Sequence, residues 1–336
     1  MDRLVTSVRR HSRRRLLRGG LALAAVGLLA GCGAVSAPGQ GTARTPRIGF
    51  LAPRTNEDFL RGLREHGYED GRNIHIEYRL SEGRHERLSE LATELIDLQP
   101  DVLVTIGPPA GLAAKQATST IPIVAASVPD PVGSGLVASL ARPGGNVTVL
   151  STSGNDTDMK RMERLKEVVP TASRVAVLAN PNSPATGLRL TNFEAAARVL
   201  GQQVRPLPVR TADDFAGAFT AAVDWGADAL LVPSDGLASS FRTRVVELAA
   251  QHRLPTFYEH REFTDLGGLA AYGPNYAEIS RRAAAYVDRI LKGAKPADLP
   301  VEQPTTFDFV INLKAAQGLG LTISQKVLAE ATEVIQ

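Results

Sequence analysis

Arg47-Ile48-Gly49-Phe50-Leu51-Ala52 and Arg174-Val175-Ala176-Val177-Leu178-Ala179 share one pattern, an arginine followed by a continuous apolar run, and they lie 127 residues apart. Asp101-Val102-Leu103-Val104 and Asp228-Ala229-Leu230-Leu231 repeat at the same offset. Ile121-Pro122 answers Leu254-Pro255, and Gly144-Gly145 before Asn146–Leu150 answers Gly267-Gly268 before Leu269–Tyr272. Four matches in one order point to a duplicated unit, with a period far too long for a solenoid. The runs Ile48–Leu51, Val102–Ile106, Ile123–Ala126, Val175–Leu178, Ala229–Val232 and Thr256–Tyr258 are apolar throughout, as strands covered on both faces should be. Helical patterns separate them: Leu88, Leu91, Leu95 and Leu98 recur at helical spacing, and Ala212–Asp224 and Phe241–Gln251 follow in the second half. Alternating β and α segments predict α/β architecture, two similar Rossmann-like lobes with parallel sheets.

The 336 residues suit two such lobes. The formal charge of +3 is misleading, because residues 1–31 hold seven arginines and one acid. The remainder is net acidic, which removes the basic field that nucleic-acid binding would need. That N-terminal stretch runs from Ser12-Arg13-Arg14-Arg15-Leu16-Leu17-Arg18 into the apolar segment Leu21–Ala30, too short to span a bilayer, and reads as an export signal. Leu29-Ala30-Gly31-Cys32 is similar to a bacterial lipobox, which implies cleavage before Cys32 and acylation of that thiol; the arginines resemble a twin-arginine signal. Residues 32–45, rich in small residues and proline, read as a flexible tether. A single cysteine excludes a disulfide framework.

Ligands of open parallel sheets sit beyond the carboxyl ends of the strands, so two facing lobes would share one cleft. The expected lobes are 46–146 with 273–300, and 151–266 with 308–336. The expected hinge crossings lie near 144–150, 267–272 and 301–312, where Gly-Gly pairs could absorb bending. Turns at the predicted strand ends supply the candidate binding residues. In the first lobe these are Pro53 and Thr55, then Gly107, Pro108 and Pro109, then Ser127 and Asp130. In the second they are Asn180, Ser234, Asp235 and Tyr258, with Tyr272 at a crossing. Amide N–H groups at helix starts suit a carboxylate, Asp130 or Asp235 an ammonium, and the tyrosines an apolar or cationic group. The same residue types are also ordinary loop chemistry. No G-x-S-x-G elbow, phosphate-binding loop or metal-ligand spacing occurs. His66 and His252 fall at helix ends, in capping or solvated positions. No catalytic residue, cofactor or metal is expected.

The stretches Gly71-Arg72-Asn73-Ile74-His75-Ile76-Glu77-Tyr78-Arg79 and Asp130-Pro131-Val132-Gly133-Ser134-Gly135-Leu136-Val137-Ala138-Ser139-Leu140-Ala141-Arg142-Pro143-Gly144-Gly145-Asn146 carry a resemblance to substrate-binding proteins of ABC transporters, tryptophan/tyrosine type. Arg261-Glu262-Phe263, Tyr286–Pro300 and Val310-Ile311-Asn312-Leu313-Lys314 extend it. The resemblance implies a type I periplasmic-binding-protein fold and a small solute held between the lobes. It also implies delivery to a membrane permease with its ATPase; with the lipobox-like segment at Cys32, the expected protein is a lipid-anchored monomer on the extracytoplasmic face. Gly-Thr-Pro-Ala is common in that family where Gly107-Pro108-Pro109-Ala110 stands here, and Ser-Tyr-Gly where Ala271-Tyr272-Gly273 stands; each change removes a hydroxyl. The expected ligand is an amino acid or similar carboxylate. A lipid-anchored sensor module and a two-lobe α/β enzyme are the alternatives.

Overall fold

The computed structural model describes residues 44–152 and 155–336; Cys32, the export signal and most of the expected tether lie outside them. The first lobe is built from β1 (Arg47–Ala52), α1 (Glu57–Glu65), β2 (His75–Leu80), α2 (Leu88–Asp97), β3 (Val102–Ile106), α3 (Pro108–Ala117), β4 (Ile123–Val128) and β5 (Val147–Ser151). The strands form one parallel sheet in the order β2-β1-β3-β4-β5. The second lobe follows with α4 (Asn155–Val168), β6 (Arg174–Ala179), α5 (Thr186–Leu200), β7 (Gln203–Pro208), α6 (Asp214–Asp224), β8 (Ala229–Val232), α7 (Gly236–Ser240), α8 (Arg242–Gln251), β9 (Thr256–Tyr258), α9 (Glu262–Asp265) and β10 (Ala270–Pro274). Its strands repeat the same winding, β7-β6-β8-β9-β10.

The duplication reaches single hydrogen bonds. Arg47 N–H donates to Asp101 Oδ2 at 2.7 Å, and the equivalent Arg174 N–H donates to Asp228 Oδ2 at 2.8 Å. In both lobes the aspartate that opens the third strand of the unit thereby pins the start of the first. The period-2 alternation of a strand buries both faces. Ile48 and Phe50 enter one core with Phe59 and Val104, whereas Leu51 enters another with Leu91 and Leu103. Val175 and Val177 pack with Phe193, and Ala176 and Leu178 pack with Phe215 and Phe219.

The chain then returns. Helix α10 (Tyr276–Leu291) belongs to the first lobe, where Ala283, Ala284 and Val287, all fully buried, close the core over Phe50 and Phe59. After it, β11 (Phe307–Asn312), α11 (Leu313–Gly318), α12 (Gln325–Glu330) and β12 (Glu333–Ile335) complete the second lobe. Strand β11 pairs antiparallel with β10 and parallel with β12, so the second sheet is seven-stranded and mixed rather than purely parallel.

The crossings fall later than the glycine pairs. Gly144 and Gly145, at φ of 71° and 63°, form a left-handed turn that leads into β5, and β5 stays paired with β4 through Ser151. Gly267 and Gly268 similarly lead into β10, which stays in the second sheet to Pro274; a Cβ on Gly268 would lie 2.5 Å from the Tyr258 ring. Gly144, Gly145 and Gly267 hold left-handed backbone in open surroundings, whereas Gly268 packs tightly against Tyr258 and Phe263. The chain instead leaves the first sheet after Ser151, leaves the second at Asn275, and returns across residues 299–306. The last segment is tied to the others: Ser151 N–H donates to Glu302 O at 2.7 Å, Glu302 N–H to Val149 O at 3.0 Å, and Asn275 N–H to Thr306 O at 3.0 Å.

Candidate functional site

The carboxyl ends of both sheets face one cleft. Arg54, after β1, reaches across to the second lobe, where its Nε donates to Ser239 Oγ at 3.2 Å and its guanidinium pairs with Glu262. Beside it Gly83 meets Leu237 so closely that an added Cβ would lie 2.5 Å from the Leu237 Cα. Between these contacts and the crossings lie two adjoining compartments, with about 680 and 700 Å³ of space continuous with solvent. Pro108 and Pro129 of the first lobe and Ala185 of the second border both.

The floor of the first compartment is a buried charge cluster supplied by the second lobe. Arg161 is completely buried and Asp158, Arg189 and Glu259 are nearly so. Asp158 Oδ1 accepts from Arg161 Nη1 at 2.6 Å and from Arg189 Nη2 at 2.7 Å. Glu259 accepts from Arg189 Nη2 at 2.6 Å, from Ser234 N–H at 2.7 Å and from the Tyr276 hydroxyl at 2.7 Å, and Arg161 Nη2 lies 3.2 Å from its Oε1. Arg161 Nε also donates to the Tyr272 carbonyl at 2.9 Å. Two cations thus face two anions, the condition under which buried charge is tolerated. Burial opposes ionisation of Glu259, but the Arg161 and Arg189 guanidinium groups outweigh it and hold the carboxyl well below the usual carboxylate range. Burial likewise opposes the Arg189 cation, and Asp158 and Glu259 outweigh it. Two buried donors of the cluster, Arg161 Nη2 and Arg189 Nη1, have no hydrogen-bond partner among the described residues, although Arg161 Nη2 keeps its ion pair with Glu259.

The second compartment is lined by hydroxyls and imidazoles. Ser234 Oγ lies 2.8 Å from His260 Nε2, and the His260 ring stacks on Tyr276 with centroids 3.6 Å apart. Burial pushes the His260 imidazole down to about 4, against the opposing pull of Glu259 and Glu262 and with help from Arg54 and Arg161. A histidine held neutral in the fold but protonated when unfolded stabilises the protein above its unfolded pKa, near 6.5, and loses that contribution as pH falls toward 4. Chemical denaturation between pH 7 and 4 should therefore show a stability loss of roughly 3 kcal/mol from this residue. His260→Gln should flatten that limb, and an unchanged slope would contradict the assignment.

Of the candidate residues, Pro108 and Asp130 line the first compartment. Pro53, Gly107, Pro109, Ser127, Ser234 and Asp235 line the second together with Pro108. Asn180 lies behind Asp235 and donates to its carboxylate at 3.2 Å. Thr55 is exposed and borders neither compartment. Tyr258 is wholly buried against Phe263, its ring in the second-lobe core, because β9 alternates and its neighbour Glu259 takes the cleft position. Tyr272 presents its carbonyl to Arg161, while its ring packs against Phe307 and Phe309. Both tyrosine rings are thus removed from the expected stacking role. Helix α3 begins Pro108-Pro109, so two of its first-turn positions have no N–H to offer an anion. Asp130 accepts from Gly133 N–H at 2.8 Å and shapes its own turn as well as the compartment wall.

Asp158, Arg161, Arg189 and Asn192 were not among the candidates, since they lie on helices rather than strand-end turns. Their signal was a charge inside an apolar stripe. Arg161 shares spacing with Leu165 and Val168, and Arg189 with Phe193, Ala196 and Ala197, all buried. A cation at such a position requires a buried partner.

Residues 53–335 match the family described as ABC transporter substrate binding protein. A tyrosine-binding protein of Clostridioides difficile is 27% identical over 283 residues, covering 84% of this chain and 80% of that one. A Streptococcus pneumoniae ABC domain solved in complex with L-Trp superposes with a TM-score of 0.79 at 30% identity, covering 87% of this chain and all of that one. A conserved domain protein from Vibrio cholerae gives a TM-score of 0.80 at 31% identity with the same coverage. The doubled 2-1-3-4-5 winding, the interlobe cleft and the match over nearly all described residues lead to one assignment: the chain belongs to the ABC transporter substrate-binding protein family and has its periplasmic-binding-protein fold.

Proposed function

We propose that the chain captures an amino acid or similar small carboxylate in the interlobe cleft and hands it, chemically unchanged, to an ABC permease and its ATPase. The observation that carries this reading is Arg189 Nη1, a buried cationic donor without a partner at the floor of an open compartment. An unsatisfied buried donor is costly, and a ligand carboxylate there would complete it with a charge-assisted bond. Asp158 and Asp130 border the same space and suit an ammonium group. The relatives named for tyrosine and solved with L-Trp agree with this class. Pro53, Gly107, Pro108, Pro109, Ser127, Ser234 and Asp235 would form the remaining walls. Acylation at Cys32 would hold the protein on the extracytoplasmic face of the membrane.

Thermal unfolding of the purified chain, scanned against the amino acids and small carboxylates, tests the reading. A ligand that binds only the folded state at 100 times its Kd adds about 2.7 kcal/mol of stability. At least one amino acid should therefore raise the melting temperature and be recovered intact. No shift with any of them at millimolar concentration would overturn the reading.

A further inference from the structure

The lobes also meet outside the ligand space. Arg54 stands between β1 and α1, and the chain on both sides of it is tied down. Ser81 N–H donates to Ala52 O at 2.9 Å and Glu82 N–H to Pro53 O at 3.1 Å, while Asn56, the N-cap of α1, donates to Ser280 Oγ of α10 at 2.9 Å. Across the cleft, Ser239 of α7, Arg242 of α8 and Glu262 of α9 form a socket. Arg242 Nη1 donates to the Ser239 carbonyl at 3.1 Å and its Nε lies 3.7 Å from Glu262 Oε2, so the socket is ordered within the second lobe by itself. The Arg54 guanidinium enters this socket, with Nε donating to Ser239 Oγ at 3.2 Å and Nη2 pairing with Glu262. Burial opposes ionisation of Glu262, but Arg54 outweighs it and holds the carboxyl below its ordinary value. Arg54, Arg242 and Glu262 border neither compartment.

Resting on the amino-acid reading above, we infer that Arg54 and Glu262 are positioning residues that set ligand affinity without touching the ligand, as a latch across the approaching lobes. Ligand binding and lobe approach are coupled equilibria, so a contact made only on approach tightens binding by its own differential stability. Both halves of the latch are ordered beforehand, which leaves little conformational entropy to lose when it forms. Its side chains are 34% and 40% exposed, so dissolved salt screens their attraction. Arg189 at the compartment floor is buried and is screened much less. Affinity therefore carries a salt dependence that originates at Arg54 rather than at the ligand's own charges.

Isothermal titration of the purified chain with L-tyrosine and L-tryptophan tests this. Arg54→Met and Glu262→Gln should each weaken binding by about threefold to tenfold, the scale of a partly exposed pair. The double variant should lose no more than the larger single effect, because the two residues act as one contact. Raising NaCl from about 0.01 to about 1 M contracts the screening length from about 30 to about 3 Å. Over that range the unaltered protein should lose affinity, while Arg54→Met stays within about twofold of its own value. Arg54→Lys keeps the charge and should recover part of the affinity together with its salt dependence, which a merely structural arginine would not restore. Single variants within about twofold of the unaltered protein, or losses that multiply in the double variant, would overturn the latch and leave amino-acid capture standing. If neither amino acid binds, that result counts against the capture reading, and the latch is read in the free protein by small-angle scattering. Arg54→Glu, which sets two carboxylates face to face, should then enlarge the radius of gyration, and an unchanged radius would overturn the latch.

Discussion

Arg161→Met should destabilise the protein by about 3–5 kcal/mol, the cost of leaving buried carboxylates without one of their cations. The corresponding fall in Tm is roughly 10 °C for lobes of this size. Arg161 is the least replaceable member of the cluster because it is fully buried and touches Asp158, Glu259 and the Tyr272 carbonyl at once. Without it, Asp158 and Glu259 share Arg189 alone. One of them would be driven toward its neutral form, with a folded pKa above the unfolded one. Such a group destabilises the fold at neutral pH and is relieved as pH falls through the raised pKa. The gap between variant and unaltered protein should consequently narrow between pH 7 and 5 in urea titrations. A loss under 1 kcal/mol, or one independent of pH, would show that the cluster is not the electrostatic unit described.

Gly83→Ala should act on binding more than on folding. The residue has φ of 78°, and its added methyl would fall 2.5 Å from the Leu237 Cα and 2.9 Å from the Leu237 nitrogen, backbone atoms of the opposite lobe that cannot rotate aside. The left-handed backbone alone costs an alanine about 1–2 kcal/mol within the first lobe. The clash adds to the free energy of lobe approach, so ligand affinity should drop by about 10–100-fold. Small-angle scattering provides the check. Saturating ligand should reduce the radius of gyration of the unaltered protein but not of the variant. Undiminished affinity would mean that the Gly83–Leu237 contact is no part of the bound state.

The fold was legible where burial leaves no choice. The runs at Val102–Ile106, Ala229–Val232 and Thr256–Tyr258 coincide with β3, β8 and β9, because strands covered on both faces must be apolar at every position. His66 and His252 also stand where expected, as C-caps of α1 and α8. Edge and returning elements carried weaker signals: β7 contains Pro206 and Pro208, and β11 runs against its neighbour. In the site, strand-end turns were visible because glycine and proline mark them. Which way Tyr258 or Glu259 faces depends on the phase of a three-residue strand, which packing decides and composition does not. The arginines of α4 and α5 lay hidden for a related reason, since one of the two carboxylates they share, Glu259, follows β9, 70 residues beyond Arg189.

The return of the chain through α10 and β11 has a consequence for biogenesis. The first core is roofed by Ala283, Ala284 and Val287, and the second contains Phe309 and Ile311. A nascent polypeptide that stops short of Tyr276 therefore holds all five strands of the first sheet and five of the seven of the second, with the core face that α10 covers and the edge that β11 joins still open to water. Each lobe's core is therefore finished only by sequence that lies after the other lobe has been synthesised.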